Sequence, residues 1–290
     1  MTIPQARLRS LRTHDDGINA WRVADVAPPP QLAGLILGYG DYTERTGGFT
    51  TRRELPHAGG VLIVNFAAPL AIVGGDGREI VLQAGEAFVA GAHLRPALSR
   101  SGGMQAGMHV FLPLSSLRRL LGLPMHELAD RVVPLDALLG ADARRLGDAL
   151  AGARTAGERI NRIDAALTAR FAATSPLGAA ERHGLALLRG RPDLDIAEVA
   201  RRVGWSRKHL AGRVRDAVGV GPRSWRRLIR FERLTARLAG DPAPDWAGLA
   251  HDMGYCDQPH LNREFREMTG MTPSAFLARS LPDGGGLIEG

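Results

Sequence analysis

The sequence predicts an α+β protein with a β-rich N-terminal domain and an all-α C-terminal domain. Between residues 31 and 111, short apolar runs alternate with Gly, Pro and Asp, which is the pattern of short strands in a small barrel or sandwich. From residue 113 onward the apolar residues recur at a spacing near 3.6, which indicates helices. A segment near the C-terminus resembles another about 50 residues earlier, which indicates a duplicated helical unit.

The N-terminal elements follow from these patterns. The runs at 61–67, 71–75 and 79–91 are expected to be strands, and the GGDG sequence at 74–77 has the composition of a hairpin turn. The segments 113–122, 141–153 and 156–171 have helical spacing. We expect residues 1–172 to form one domain and residues 173–178 to be a linker.

Positive charge is concentrated in one block of the chain. The whole sequence has a net charge of +7. Residues 201–240 hold twelve Arg/Lys and two acidic residues, a net of +10, whereas the rest has 25 basic and 28 acidic side chains. Such a block is a candidate contact surface for nucleic acid, although a solvated helical face has the same composition.

Composition argues against several classes of protein. A hydrophobic content of 44% and a charged content of 23% are ordinary for a soluble globular protein. Cys256 is the single cysteine, so no internal disulfide can form and a reducing compartment fits. The N-terminus lacks the apolar segment of a signal peptide, and no stretch approaches the roughly 18 apolar residues of a membrane span. These features favour a cytoplasmic protein without membrane contact.

The C-terminal repeat has the form of a helix-turn-helix pair. Residues 195–205 align with 245–255, and residues 209–225 align with 260–276. Each copy has a short helical segment, a break at Gly followed by an aromatic residue, and a second helix that opens at a polar cap, Ser206 or Asp257. In a helix-turn-helix motif the second helix lies in the major groove of DNA.

Helical periodicity divides each second helix into a buried and an outward face. The side chains expected to be buried are Leu210, Val214, Ala217 and Val218 in the first copy and Leu261, Phe265 and Met268 in the second. Basic and polar residues fall on the opposite face. One face therefore forms the core while the other is available for DNA.

The motifs GWSRKHL (from Gly204) and GYCDQPHLNREFREMTGMTP (from Gly254) resemble the AraC-type (AraC/XylS) family of bacterial transcription regulators. The resemblance covers residues 180–280. It implies a DNA-binding domain at 179–282 with two helix-turn-helix units, joined by a long helix at 222–240, and a flexible tail at 283–290. Residues 113–140 are similar to a sensor-type domain of a subgroup, which implies an effector-sensing or oligomerisation domain at 1–172.

The resemblance and the outward faces together give the candidate DNA contacts. Arg can bond bidentately to guanine and Asn to adenine, while any Arg or Lys can hold a phosphate. The expected DNA-binding residues are Ser206, Arg207, Lys208, Ala211, Arg215, Gln258, Asn262, Arg263 and Arg266. Phosphate contacts are expected from Arg226 and Arg230 of the joining helix.

The first copy departs from the family pattern at one position. Members often carry Arg two residues after the Leu of each recognition helix, and the second copy has Arg263 there. The first copy has Gly212, followed by Arg213. Base reading by the first unit is therefore an open question. For Arg263 the alternatives to base reading are a phosphate contact and an ion pair with Glu267, four residues later.

An enzyme with a β-barrel catalytic domain is one alternative function. His57, His93 and His109 lie in the β-rich region, but they form no His-x-His pair. No nucleophile elbow, phosphate loop or HExxH motif occurs. Cys256 falls in a helix-turn-helix turn, where a tolerated turn residue is favoured over an alkyl-transfer cysteine. We expect no catalysis, no metal site and no cofactor.

A second alternative is a DNA-binding protein whose N-terminal domain only dimerises. The expected partner is double-stranded DNA, and the candidate further partners are a small effector, RNA polymerase and a second copy of the chain. Five aromatic residues could line an effector pocket or pack in the core: Trp21, Tyr39, Tyr42, Phe49 and Phe66.

Overall fold

The computed structural model describes residue 3 and residues 5–47, 51–238, 244–280 and 287. Phe49 lies outside the described residues, as do 239–240 at the expected end of the joining helix and the expected flexible tail except Leu287. Leu287 is buried and pairs with Ser280.

The N-terminal domain is a sandwich of two antiparallel sheets. The described strands are β1 (Leu8–Asp15), β2 (Ala20–Val26), β3 (Gly38–Arg45), β4 (Thr51–Glu54), β5 (Gly60–Asn65), β6 (Leu70–Val73), β7 (Glu79–Leu82), β8 (Ala87–Ala90), β9 (Ala97–Ser101), β10 (Met104–Leu112) and β11 (Val132–Pro134). One sheet has the order β1-β2-β3-β10-β5-β8-β11, and the other has the order β4-β9-β6-β7. The larger sheet has edges at β1 and β11, so it is an open sandwich and not a closed barrel.

The hairpin expected at 74–77 joins β6 to β7. Gly74 N–H donates to Arg78 O at 2.9 Å, and Gly77 has a φ of +80°, which glycine adopts without strain. The prediction of this turn is confirmed.

The strands begin earlier than the sequence pattern indicated, because β1 and β2 precede residue 31. Strand β1 turns polar side chains toward the interior, where Ser10 and Arg12 bond to Asp25 of β2 at 2.5 and 3.1 Å. Periodicity methods count apolar residues on one face, so a strand with a polar inner face gives a weak signal.

Helices follow the sandwich and make up the C-terminal domain. The described helices are α1 (Leu114–Leu121), α2 (Leu135–Leu139), α3 (Ala141–Ala151), α4 (Ala156–Ala172), α5 (Ala179–Gly190), α6 (Ile196–Arg202), α7 (Arg207–Val218), α8 (Pro222–Leu238), α9 (Trp246–Asp252), α10 (Gln258–Thr269) and α11 (Pro273–Arg279). Residues 173–178 connect α4 to α5 without regular structure. Within the described residues, every helix is too short or too polar to span a bilayer.

Helix α4 is attached to the sandwich by buried ion pairs. Arg159 donates two hydrogen bonds to Asp41 of β3, at 2.7 and 2.9 Å. Asp164 accepts from Arg7 at 2.6 Å and from the Tyr39 hydroxyl at 2.7 Å. Buried charges are tolerated when such partners satisfy them. These contacts fix α4 against the larger sheet.

The two domains share a continuous apolar core. Helix α1 and the 3-10 turn Met125–Glu127 pack against α7 of the C-terminal domain. Gly219, which ends α7, has a φ of +86°, and a Cβ there would lie 2.9 Å from Met125 O. This close approach requires glycine, so the sequence at the end of α7 is matched to the N-terminal domain.

Candidate nucleic-acid interface and cavity

Two helix-turn-helix units lie in the C-terminal domain: unit one is α6 with α7, and unit two is α9 with α10. Both turns contain a glycine with positive φ, Gly204 at +72° and Gly254 at +76°. In each unit the residue after this glycine donates its N–H back to the first helix at 2.9 Å, from Trp205 to Ala200 O and from Tyr255 to Ala250 O. The sequence repeat therefore corresponds to a repeated turn geometry.

The two predicted helix caps are confirmed. The Ser206 side chain accepts from His209 N at 3.1 Å, and the Asp257 side chain accepts from His260 N at 2.7 Å. Each cap satisfies one of the free N–H groups at a helix start.

The predicted buried faces of α7 and α10 are also confirmed. All seven side chains have 2% exposure or less: Leu210, Val214, Ala217, Val218, Leu261, Phe265 and Met268. The matching histidines have matching packing, since His209 lies edge-on to Trp205 at 4.8 Å and His260 lies edge-on to Tyr255 at 5.4 Å between ring centroids.

The outward faces carry the candidate DNA-binding residues. Exposed positions are Ser206, Arg207, Lys208, Arg215, Arg263 and Arg266. Half-buried positions are Ala211, Gln258 and Asn262. Within the part of the chain that the structure describes, none of the five exposed cations forms an ion pair or side-chain hydrogen bond. Their charge is available to an external partner.

Arg226 and Arg230, expected to contact phosphate, have partners inside the domain. Arg226 donates to Leu194 O at 2.6 Å and to Arg191 O at 3.2 Å. Arg230 donates to the buried carboxylate of Glu264 at 2.7 Å and lies over the Tyr255 ring. A phosphate contact by either residue would compete with these bonds, so that contact remains a prediction.

The surroundings of Arg263 test whether it forms an ion pair with Glu267 instead of contacting DNA. Glu267 accepts from Arg227 of α8 at 2.7 Å, and no ion pair joins it to Arg263 among the described residues. The matching position in unit one, Gly212, is exposed, and a Cβ there would meet nothing within 4 Å. The ion pair between Arg263 and Glu267 is therefore not formed, while the outward positions of both units are unobstructed.

A cavity of about 520 Å³ lies between the two sheets of the N-terminal domain. Its apolar wall includes Ile63, Leu70, Ile72 and Phe88 from both sheets. A volume of this size is in the range of small-molecule sites. Of the aromatic residues named from the sequence, Tyr42 lines the cavity, whereas Trp21 and Tyr39 are buried elsewhere and Phe66 stacks against Arg159.

Three histidines line the cavity. Burial lowers the pKa of His57, His93 and His109, each to about 4, because the interior disfavours the charged imidazolium. All three are therefore neutral near pH 7. His57 and His93 lie 5.6 Å apart between ring centroids. Among the described residues, no three His, Cys, Asp or Glu side chains are arranged to hold a metal ion.

One wall residue of the cavity comes from the C-terminal domain. Glu232 of α8 accepts from Ala58 N at 2.6 Å, and Trp225 of the same helix donates from Nε1 to Ala58 O at 3.3 Å. Burial raises the pKa of the Glu232 carboxyl group. Sequence reasoning missed this contact, because nothing in local spacing relates residue 58 to residue 232.

Comparisons with known proteins agree with this architecture. Residues 182–279 match a family model described as a helix-turn-helix domain. The arabinose operon regulatory protein of Escherichia coli is 33% identical over 86 residues, which cover 30% of this chain and 29% of that protein. An AraC-like protein of Streptomyces antibioticus is 33% identical over 87 residues, which cover 30% of this chain and 28% of that protein. The match thus spans less than a third of the length of these curated relatives.

A solved structure extends the likeness to the fold of most of the chain. ToxT from Vibrio cholerae has a TM-score of 0.50 at 12% sequence identity, covering 79% of this chain and 94% of that one. The combination of a sheet-rich N-terminal domain with a helical C-terminal domain is therefore a known architecture, as the sequence predicted.

Proposed function

We propose that this chain is a sequence-specific transcription regulator that binds double-stranded DNA, because residues 182–279 match a helix-turn-helix family model and 86 residues are 33% identical to the arabinose operon regulatory protein of Escherichia coli. Helices α7 and α10 enter major grooves with their outward faces. The N-terminal domain holds a small effector in the cavity between its sheets. The protein acts by binding and not by catalysis.

The unpaired cations of α7 and α10 carry this proposal. Some exposed arginines of this domain pair with nearby acids, as Arg201 and Arg202 do with Glu198. Arg207, Lys208 and Arg215 have no such partner among the described residues, and neither do Arg263 and Arg266. Their position opposite the buried face is the position that meets base edges and phosphates in a helix-turn-helix protein.

The length of α8 sets the expected shape of the DNA site. Its 17 residues correspond to about 25 Å of helix. Two reading helices joined by this segment could reach successive major grooves, which are about 34 Å apart. Because the two units differ in their outward residues, each protomer should protect an asymmetric site of roughly 20 base pairs. A footprint of the full chain that covered only one half-turn would contradict this arrangement.

Selection of bound sequences from random DNA is the direct test. We expect one enriched asymmetric motif, with binding lost when the exposed cations of both α7 and α10 are changed to alanine. Equal recovery of all sequences would contradict sequence-specific recognition. A screen of small molecules by melting shift then tests the effector, because a ligand that binds the folded state raises Tm.

Two further partners belong to the proposal. Association with a second copy of the chain is tested by measuring the molecular mass of the protein with and without the selected DNA. RNA polymerase is tested by transcription in vitro from a promoter that carries the selected site.

A further inference from the structure

Carboxylates outnumber arginines in the wall of the cavity. Arg12 pairs with Asp25 at 3.1 Å, and Arg52 pairs with Glu44. Glu54 accepts from Ser99 Oγ. Glu232 accepts from Ala58 N, and its carboxylate also lies 3.8 Å from the exposed Arg189 of α5, which is outside the wall. Among the described lining residues, four carboxylates face two arginines, while the histidines are neutral. The lining carboxyl groups therefore exceed the lining arginines by two, an excess that disfavours anionic ligands and favours cationic ones.

Three aromatic rings form a row along one side of the cavity. Tyr42 of β3 lies 4.7 Å from His109 of β10, and His109 lies 5.5 Å from Phe111, between ring centroids. Aromatic faces are negative and attract cations, most strongly where water is excluded. The apolar part of a ligand can therefore stack on these three rings. A cationic group of the ligand would be attracted by the ring faces as well as by the wall carboxylates.

Gln105 lies at one end of this row. Its side chain is 4% exposed, and neither polar atom of its amide has a hydrogen-bond partner among the described residues. Buried amides are nearly always bonded, because an unmet donor or acceptor is costly. Since Gln105 lines the cavity, a polar group of a ligand is positioned to bond with it.

Glu232 lies toward the opposite end. The part of strand β10 from Gln105 to Phe111 is about 20 Å long. Phe111 pairs with Val61 of β5, and Ala58, which bonds to Glu232, lies just before that strand. The cavity is therefore elongated, with an amide at one end and a carboxylate of the C-terminal domain at the other.

We propose that the cavity binds an elongated apolar cation, such as an aryl or alkyl amine, whose ammonium group bonds to Glu232 and whose apolar body lies along Tyr42, His109 and Phe111. This ligand is the effector of the regulator proposed above, and its role as effector rests on that function.

Contact with Glu232 connects this ligand to the helix that joins the two units. Glu232 and Trp225 hold the backbone of Ala58 from the same helix, α8. Between these two residues, α8 also carries Arg227 and Arg230, which bond to Glu264 of α10. An ammonium group that engages the Glu232 carboxylate therefore changes the attachment of the helix that joins the units.

Three probes of one shape and different charge test the ligand class: naphthylmethylamine, naphthylmethanol and naphthoate. Titration calorimetry on the full chain near pH 7 gives their affinities without DNA. We expect the amine to bind about tenfold more tightly than the alcohol, because a hydrogen bond from a charged donor to a carboxylate is stronger than a neutral one. Naphthoate should bind most weakly.

Glu232→Gln assigns the effect to one carboxylate. Glutamine keeps an acceptor for Ala58 N–H but removes the charge, so the amine should lose about tenfold in affinity while the alcohol is unchanged. Glu127→Gln is the matched control, since Glu127 is exposed on a turn outside the cavity. The proposal is overturned if naphthoate binds most tightly, if Glu232→Gln leaves the preference for the amine intact, or if none of the probes binds.

Failure of this proposal and failure of the proposed function give different results. The titrations contain no DNA, so they report ligand class even if the chain does not recognise a DNA sequence. Conversely, an enriched DNA motif together with preferred binding of naphthoate would leave the regulator in place and remove only the cationic effector.

Discussion

Unit one and unit two share a fold, but different parts of the molecule hold them in place. Unit one is held by buried Glu181 of the preceding helix α5, which accepts from Arg213 of α7 and, at 3.2 Å, from Arg118 of α1 in the N-terminal domain. In unit two, buried Glu264 of α10 accepts from Arg227 and Arg230 of α8, with no N-terminal residue among its described partners. One carboxylate therefore ties a recognition helix to the other domain, and its counterpart ties a recognition helix to the joining helix.

Other contacts follow the same division. The end of α7 packs under the 3-10 turn of the N-terminal domain, where His126 lies 3.4 Å from Asp216. Unit two meets the sandwich through Arg53, which donates to Thr269 O at the end of α10. A change in the N-terminal domain thus reaches unit one through several side chains and reaches unit two mainly through α8.

The largest expected effect concerns the attachment of unit two to α8. Glu264→Ala removes the shared partner of Arg230 and Arg227, which stay partly exposed, and the loss of a hydrogen bond to a charged group costs about 1.5–3 kcal/mol. Chemical denaturation of the full chain measures the loss in the free energy of unfolding. Glu267→Ala is the control, since this exposed partner of Arg227 should cost at most about 1 kcal/mol. Equal losses in the two variants would show that Glu264 does not anchor α10.

Arg263→Ala tests whether unit two reads bases through this side chain. If Arg263 bonds to a base, the change should cost about 1–3 kcal/mol on the cognate site and relax preference at one or two base pairs. The measurement is affinity against a library of single-base operator variants. A uniform loss over all sequences would instead indicate a phosphate contact.

The salt dependence of DNA affinity tests which arginines contact phosphate. Arg207 is exposed at the start of α7, so Arg207→Ala should reduce the slope of log K against log salt by about 0.9 if it holds one phosphate. Arg226→Ala serves as the comparison, because its guanidinium is bonded to two carbonyl groups of the protein. A reduced slope for Arg226→Ala would support the phosphate contact expected from the sequence. An unchanged slope would indicate that Arg226 stabilises the fold and does not contact phosphate.

The smallest expected effect concerns Gly212, which matches Arg263 in the other unit. Gly212→Ala should stabilise the protein by about 0.5–1 kcal/mol, because glycine inside a helix costs conformational entropy and the added Cβ meets open space. Weaker DNA binding by this more stable variant would show that the α7 backbone approaches DNA closely at this position. Unchanged binding would leave Gly212 without a role in recognition.

Local pattern was enough to predict the helix-turn-helix units. Leu210 and Leu261 mark buried faces by spacing alone, and Ser206 and Asp257 mark helix starts by their capping chemistry. Strand β1 was missed because its inner face is polar.

The uses of Glu181, Glu232 and Glu264 were not predictable, since each carboxylate bonds to residues far away in sequence or on another helix. For the same reason, the charge of residues 201–240 overstated the free charge, because several of those arginines are bonded internally.

The contact between Glu232 and Ala58 has a consequence for protein engineering. Residues 173–178 look like a natural place to exchange one DNA-binding domain for another. A chimera joined there would keep both sheets of the sandwich but lose the carboxylate that completes the cavity wall and the Trp225 bond that holds the adjacent loop. For the effector proposed above, the portable unit is therefore the sandwich together with the inward face of α8. A graft that transfers that helix face should respond to the effector where a graft at the linker does not.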